Sequence, residues 1–184
     1  MAGALEEPAY EVINAHDGFE VRRYGPTVQA RVQTAGRDGG AASGGFRRVA
    51  GYIFGGNNQR TSIAMTAPVH MWEENDSGWL AFTMPSAYAL ETLPTPNDAG
   101  VRLHPTSTTT VAVARFSGRT TPKKTVRIEE GLRAAIEREG YVATGPAVLA
   151  VYENPWTTLP FMRRNELHLH IEAPLSTRLS TTDR

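Results

Sequence analysis

Length, composition and charge limit the classes of protein this chain can belong to. It has 184 residues, of which 40% are hydrophobic and 21% charged, as expected for one globular domain. Nineteen basic residues balance nineteen acidic ones. We therefore predict no nucleic-acid partner, because nucleic-acid binding depends on cations that neutralise phosphates. The chain contains no cysteine, which excludes disulfides, thiolate metal sites and a cysteine nucleophile.

The two ends of the chain are predicted to be flexible tails. Residues 1–8 include two glutamates and no apolar run, which is not typical of a signal peptide. Residues 173–184 offer little to bury. No window approaches the ~18 apolar residues that cross a bilayer, so we predict no membrane span. A cytoplasmic protein is expected, with a single domain over 9–172, as a monomer or weak homo-oligomer.

The first half of the chain reads as strands around one helix. Asp17-Gly18 separates two alternating runs and predicts a β-hairpin. The glycine-rich run 36–45 predicts a flexible loop, and Ser43 is the predicted N-cap of a helix that Gly55-Gly56 ends. The predicted strands of this half are 10–13, 19–24, 27–33, 62–71 and 78–84.

The second half repeats the order strand, helix, strand, strand. A proline-rich connector over 85–105 precedes a predicted strand at 109–116. Thr121 and Pro122 begin a helix with a buried apolar stripe, which Gly140 ends. Two further strands are predicted at 147–152 and 166–171. Two such halves bury their sheet faces together, so we predict an α+β fold with pseudo-twofold internal duplication, a barrel or a sandwich.

Several ordered motifs resemble the SOUL haem-binding family. They are Phe19-Glu20-Val21-Arg22-Arg23-Tyr24-Gly25-Pro26, Gly45-Phe46-x-x-Val49, Gly55-Gly56-Asn57, Ile63-Ala64-Met65-Thr66-Ala67-Pro68-Val69, Phe82-Thr83-Met84-Pro85, Pro94-x-Pro96 and Arg163-Arg164-Asn165-Glu166. The resemblance covers roughly residues 10–172. It implies a twisted, mostly antiparallel barrel of eight or nine strands, flanked by two helices, with an internal repeat.

The resemblance also implies a function, which is non-covalent binding of haem or another porphyrin by a carrier, buffer or sensor and not by an enzyme. The family's apolar groove lies between the first helix and the loop before the last strand. A porphyrin is a flat apolar plate with anionic propionates, so it suits aromatic contacts with arginine at the rim. The residues that the resemblance places there are Phe46, Arg47, Val49, Ala50, Ile53, Phe54, Trp156, Leu159, Phe161, Met162 and Arg163.

The iron ligand does not follow from the resemblance. Some family members have a histidine immediately before Tyr-Gly-Pro, and here that residue is Arg23. An arginine does not ligate haem iron. We therefore expect Arg23→Ala to retain haem, and we take Met162 and His70 as the candidate ligands.

Two alternative functions come from different observations. Glu166, His168, His170 and Glu172 alternate along the last strand and share one side of it. Two histidines spaced in this way could bind zinc with a third ligand, which makes a zinc-dependent enzyme one alternative. The other interpretation of the same residues is a solvent-exposed strand face. The second alternative is a small-molecule sensor without haem, since the duplicated barrel resembles bacterial drug-binding regulatory domains.

Overall fold

A computed structural model of the chain describes residues 5–36, 39–153 and 158–172. The two α-helices are α1, Gly39–Ile53, and α2, Pro122–Arg138. Short 3-10 helices occupy Leu90–Thr92 and Pro160–Met162. The strands are β1 Tyr10–His16, β2 Phe19–Tyr24, β3 Thr27–Thr34, β4 Val69–Glu74, β5 Ser77–Thr83, β6 Val101–Thr106, β7 Thr109–Ser117, β8 Val142–Val151 and β9 Arg164–Glu172. No helix among these residues is long and apolar enough to cross a membrane.

All nine strands form one sheet in the order β1-β2-β7-β9-β8-β4-β5-β3-β6, and every neighbouring pair is antiparallel. The sheet is twisted but open, so the predicted closed barrel is wrong. Closure would require β1 to pair with β6, and within the described residues these two strands remain edges. Pro105 lies in β6, and a residue without a backbone N–H is tolerated on an edge strand.

The strand order contains two units with the same succession of elements. β3-α1-β4-β5 forms one unit and β7-α2-β8-β9 the other, and their strands run β7-β9-β8-β4-β5-β3 across the sheet. The units meet where β8 pairs with β4. The predicted α+β class, the nine antiparallel strands and the two flanking helices are confirmed, whereas the internal duplication stays a prediction.

Both helices pack on the same face of the sheet. Val49, Tyr52 and Ile53 of α1 lie in one buried apolar cluster, and Leu132 and Ile136 of α2 lie in a second. Met71 of β4 packs against both clusters and joins them. Because side chains alternate along a strand, the residues between these apolar positions point to the opposite face.

The structure corrects several predicted boundaries. α1 begins at Gly39 and not near Ser43, so most of the predicted flexible loop is helix. Glycine at position 45 allows this helix to lie close to β3, because a Cβ there would come within 2.6 Å of the Thr34 Cγ2. β4 begins at Val69 and not at Ser62. β6 was missed because proline residues marked that segment as irregular.

The hairpin between β1 and β2 is confirmed, and its turn is not of type I′. Gly18 has a φ of +86°, whereas Asp17 is not among the residues of positive φ. A type I′ turn requires positive φ at both positions. The glycine alone therefore supplies the left-handed conformation here.

Leu169 tests the apolar core between the sheet and α2. Its side chain is fully buried in β9, so Leu169→Ala should lower the free energy of unfolding by about 2–5 kcal/mol. Val126→Ala is the control, because Val126 is 47% exposed on α2 and should change it by less than about 0.5 kcal/mol. Urea melts measure both, and equal stability of the two variants would contradict this packing.

Candidate functional site

One flank of α1 carries a partly exposed apolar stripe. Phe46 and Ala50 lie on one side of α1 at an interval of four residues, and Phe54, directly after the helix, continues this interval and donates its backbone N–H to the Ala50 carbonyl. Phe46 is 37% exposed and Phe54 64% exposed. The predicted site residues Val49 and Ile53 differ, because they are 0% and 1% exposed. Their side chains fix the helix to the sheet and present no surface to a ligand.

The contacts of α1 show which way this stripe faces. Arg48 forms an ion pair with Asp98, and Tyr52 donates a hydrogen bond to the Pro94 carbonyl, both in the segment that leads to β6. Positions two residues apart on a helix differ by about 200°. The stripe with Phe46 and Ala50 therefore lies on the flank away from β6, towards β4 and β8.

A second exposed apolar segment lies just before β9. Leu159, Phe161 and Met162 are 58%, 72% and 63% exposed, and the last two belong to a 3-10 helix. The Nε of Arg163 donates a hydrogen bond to the Thr158 carbonyl at 2.9 Å. Trp156, predicted as part of this loop, lies outside the described residues.

The sheet connects these two apolar surfaces. The Phe46 ring lies 5.2 Å from the ring of Phe82 in β5. Phe82 pairs with Val69, and Val69 pairs with Val151 at the end of β8. Val151 in turn pairs with Asn165 at the start of β9. Three strand spacings of about 4.8 Å separate Phe82 from Asn165 by roughly 14 Å, so the stripe and the segment before β9 lie at the same end of the sheet.

The opposite face of the sheet carries many polar side chains and forms a partly open cavity of about 430 Å³. The prediction of a solvent-exposed face on β9 is wrong, because Glu166 and His168 are 1% and 6% exposed and His168 and His170 line this cavity. Alternating polar residues give the same sequence pattern whether their side chains face bulk water or a cavity of the protein. His70 also lines the cavity, so it lies on the other side of the sheet from the α1 stripe.

The carboxylate of Glu166 is the centre of a hydrogen-bond cluster beside this cavity. It accepts from Arg22 Nη1 at 3.0 Å, from Arg115 Nε at 3.1 Å, from the Tyr152 hydroxyl at 2.6 Å and from His168 Nε2 at 2.9 Å. Burial alone would raise the pKa of Glu166, but the bonds from His168 and Tyr152 and the charge of Arg22 outweigh it and hold the pKa at about 2. The carboxylate is therefore ionised at neutral pH.

Sequence reasoning missed this cluster and also Arg31, which lies on β3 in the other half of the sheet and lines the same cavity. The motif that contains Arg22 was noted only for its resemblance. Gln29, Arg31 and Gln33 alternate along β3, and the polar residues of β9 alternate in the same way. Both β3 and β9 therefore have one polar side. This shared pattern could have indicated from the sequence that the two polar sides face the same cavity.

The geometry does not support the zinc site. The Nε2 of His168 is engaged by Glu166, and no group of three or more His, Cys, Asp or Glu residues suited to a metal ion occurs in the described part of the chain. Arg23, which replaces the family's histidine, is 52% exposed and lies 3.4 Å from the Glu11 carboxylate. It makes a surface ion pair and belongs to neither candidate site.

The fold is that of an α+β protein with one open antiparallel sheet and both helices on one face. Residues 5–170 match the family model described as SOUL heme-binding protein, and the chain belongs to this family. It is 29% identical over 180 residues to Heme-binding protein 2 of Mus musculus, covering 90% of this chain and 86% of the relative. The family assignment made from the motifs is thereby confirmed.

Solved structures with little sequence identity share the fold. The EcmrR C-terminal domain matches with a TM-score of 0.65 at 9% identity, covering 89% of this chain and 98% of that domain. A hydrolase from Listeria innocua matches with a TM-score of 0.58 at 11% identity, covering 84% and 91%. At these identities the comparison concerns the arrangement of the sheet and helices alone.

Glu166→Gln tests the buried cluster. The change removes the buried one of the two anions that pair with Arg22, which is itself 1% exposed, and breaking a buried ion pair from one side costs about 3–5 kcal/mol of unfolding free energy. Glu20→Gln removes the other, 37% exposed partner of Arg22 and should cost about 1 kcal/mol or less. Urea melts at pH 7 compare the two, and a Glu166 variant as stable as the Glu20 variant would refute the assignment.

His70 predicts how stability depends on pH. Burial and, to a smaller extent, the charge of the neighbouring His168 lower the pKa of His70 to about 3, whereas the unfolded chain has an ordinary histidine pKa of ~6.5. Between these values the unfolded chain binds a proton that the folded chain does not. The free energy of unfolding should therefore fall as the pH falls below about 6.5, by up to about 1.4 kcal/mol per pH unit.

Urea melts at several pH values between 5 and 7.5 measure this slope. His70→Asn should flatten it, whereas His16→Asn should retain it, because His16 pairs with Glu139 away from the cavity. An unchanged slope in the His70 variant would show that other groups cause the pH dependence.

Proposed function

We propose that this protein binds haem or another porphyrin reversibly and without a covalent bond, as a carrier, buffer or sensor and not as an enzyme. Membership of the SOUL family and the name of the mouse relative support the ligand. The observation that carries the proposal is the exposed apolar surface between the α1 stripe and the segment before β9. We also propose a cytoplasmic location, which the absence of cysteine favours.

The shape and chemistry of this surface fit a flat apolar ring. Phe54 and Phe161 are the two most exposed large apolar side chains among the described residues, at 64% and 72%. Burying a side chain of this size is worth about 1.5–3 kcal/mol. Val69 and Val151, both half-buried, would form the floor beneath the ring. These apolar contacts would supply most of the affinity.

The edge of the surface offers cations for the propionates. Arg47 is exposed on α1 and forms no ion pair with the described residues. Arg163 follows the 3-10 helix directly, with its Nε on the Thr158 carbonyl. Charge-assisted hydrogen bonds from guanidinium groups to carboxylates are about twice as strong as neutral ones, so Arg47 and Arg163 would orient the ring.

Met162 is our candidate for the iron ligand. Its side chain is 63% exposed on the proposed surface, and a methionine thioether is an established axial ligand of haem iron. His70 lies on the cavity face of the sheet and Arg23 cannot ligate. Met162→Leu keeps an apolar side chain of similar size, so a displaced Soret maximum with haem retained would support ligation by the sulfur. An unchanged spectrum would exclude it.

The loss of an exposed aromatic side chain should lower haemin affinity without lowering stability. Phe161→Ala and Phe54→Ala should each weaken haemin binding by about tenfold or more, since about 1.4 kcal/mol corresponds to a factor of ten. Their free energies of unfolding should change by less than about 1 kcal/mol. Titration of the Soret band and urea melts on the same samples give the two quantities.

Control variants separate the proposed surface from general effects. Val142→Ala removes a 52% exposed side chain at the far end of β8, and Arg23→Ala removes the residue at the histidine position. Both should bind haemin as the unaltered protein does. If the Phe54 and Phe161 variants also bind normally, the porphyrin does not bind at this surface.

A further inference from the structure

The cavity on the polar face is a second candidate binding site, separate from the apolar surface beside α1. Its volume of about 430 Å³ falls within the ~300–1,000 Å³ typical of small-molecule sites. Four of the five histidines of the chain line it, namely His70, His104, His168 and His170.

The buried carboxylate beside the cavity does not attract a cation. A carboxylate has about four acceptor positions, and Glu166 already accepts from four donors. Its charge is balanced by Arg22 and Arg115. Glu7, another acidic residue of the lining, pairs with Arg164. Neither of these carboxylates is therefore available to a positively charged ligand, and the third acidic residue of the lining, Glu74, is exposed at the end of β4.

Arg31 is the cation of the cavity wall that has no matching anion. It lies on β3 and is half-buried, its guanidinium is 5.3 Å from the Trp72 ring, and its Nε donates to Gln29 at 2.9 Å. It forms no ion pair with any described residue. Burial lowers the pKa of Arg31, and the charge of Glu74, an exposed residue of the same lining, opposes this shift. A half-buried guanidinium that has a neutral hydrogen-bond acceptor but no paired anion would gain from a bound carboxylate.

The remaining lining suits an anion that carries an apolar body. The Nδ1 of His70 is buried without a hydrogen-bond partner in the structure. Burial and, to a smaller extent, the positive charge of Arg31 lower the pKa values of His70, His104 and His170, so these imidazoles stay neutral and can each donate one N–H. Val111, Val148 and Pro146 supply apolar contacts within the same wall.

We propose that the polar cavity binds a small aromatic carboxylate, with the carboxylate on Arg31 and the ring among the aromatic and apolar side chains of the wall. Arginine donates two parallel N–H groups to a carboxylate. The helices lie on the other face of the sheet, so this site is independent of the proposed porphyrin surface. The protein would then bind two ligands of different chemistry on the two faces of one sheet.

A titration with three probes of matched size tests the charge. Benzoate carries the carboxylate, benzamide is its neutral counterpart, and benzyltrimethylammonium is a cation. We expect benzoate to shift the imidazole NMR signals of the four cavity histidines and to leave the signal of His16, outside the cavity, in place. Benzamide should bind about tenfold more weakly or worse. Equal binding of benzoate and benzamide, preference for the cation, or no binding of benzoate would overturn the proposal.

Variants of Arg31 locate the anion. Arg31→Gln should weaken benzoate binding about tenfold or more, and Arg31→Lys should give an intermediate affinity, because lysine keeps the charge and loses the planar pair of donors. Arg23→Gln, an exposed arginine on β2, is the matched control and should bind benzoate normally. Urea melts confirm that each variant is folded, and if Arg31→Gln unfolds, the Lys variant decides the result. Benzoate affinity unchanged in a folded Arg31 variant would refute the site.

Haemin titration of the same variants separates this proposal from the porphyrin surface. Arg31→Gln should bind haemin with unchanged affinity, and Phe161→Ala should bind benzoate with unchanged affinity. A tenfold loss of haemin affinity in Arg31→Gln would mean that haem occupies the cavity, and the second site would be withdrawn. Loss of haemin binding in Phe161→Ala alone leaves the two sites distinct.

Discussion

The buried carboxylate of Glu166 constrains the polar face of the whole second unit. Its four donors come from β2, from β7, from the residue after β8 and from β9 itself. An ionised group at 1% exposure is tolerated only when its partners are in place, since breaking such a pair costs several kcal/mol. A slip of one residue in β9 would turn Glu166 towards the apolar face and Leu167 towards the cavity. One charge therefore fixes the register of four neighbouring elements.

The same alternation gives the sheet two faces with different ligand chemistry. On one face, apolar residues of the strands support α1 and α2, and Phe46 and Phe54 remain partly exposed beside α1. On the other face, Arg31, the histidines and the tyrosines surround a polar cavity. A flat apolar ring suits the first surface, and a small anion suits the second. The two faces belong to the same strands but carry different side chains. A substitution on one face therefore leaves the side chains of the other face unchanged.

Local patterns in the sequence predicted the elements well, and long-range arrangement poorly. The alternation in β2 and the cap at Thr121 depend on near neighbours, so they could be read directly. The open sheet could not be predicted in this way, because closure depends on whether β1 and β6 pair, and these strands are about 90 residues apart in the chain. Phe54 and Phe161 were predicted as exposed groove residues from the resemblance, and both are exposed. Val49 and Ile53 were assigned to the same groove because a helix sequence does not say how far its apolar stripe extends beyond the core.

The assignment of porphyrin to the helix face is the central claim, and paramagnetic broadening tests it most directly. Backbone amide signals would be compared between complexes with iron(III) haemin and with diamagnetic gallium(III) protoporphyrin, so that only proximity to the metal differs. The account predicts that the iron complex selectively broadens the signals of Phe46, Ala50, Phe54, Leu159, Phe161 and Met162. The signals of Arg31 and His170 should stay sharp. Broadening centred on Arg31 and His170, with the α1 signals unaffected, would contradict it.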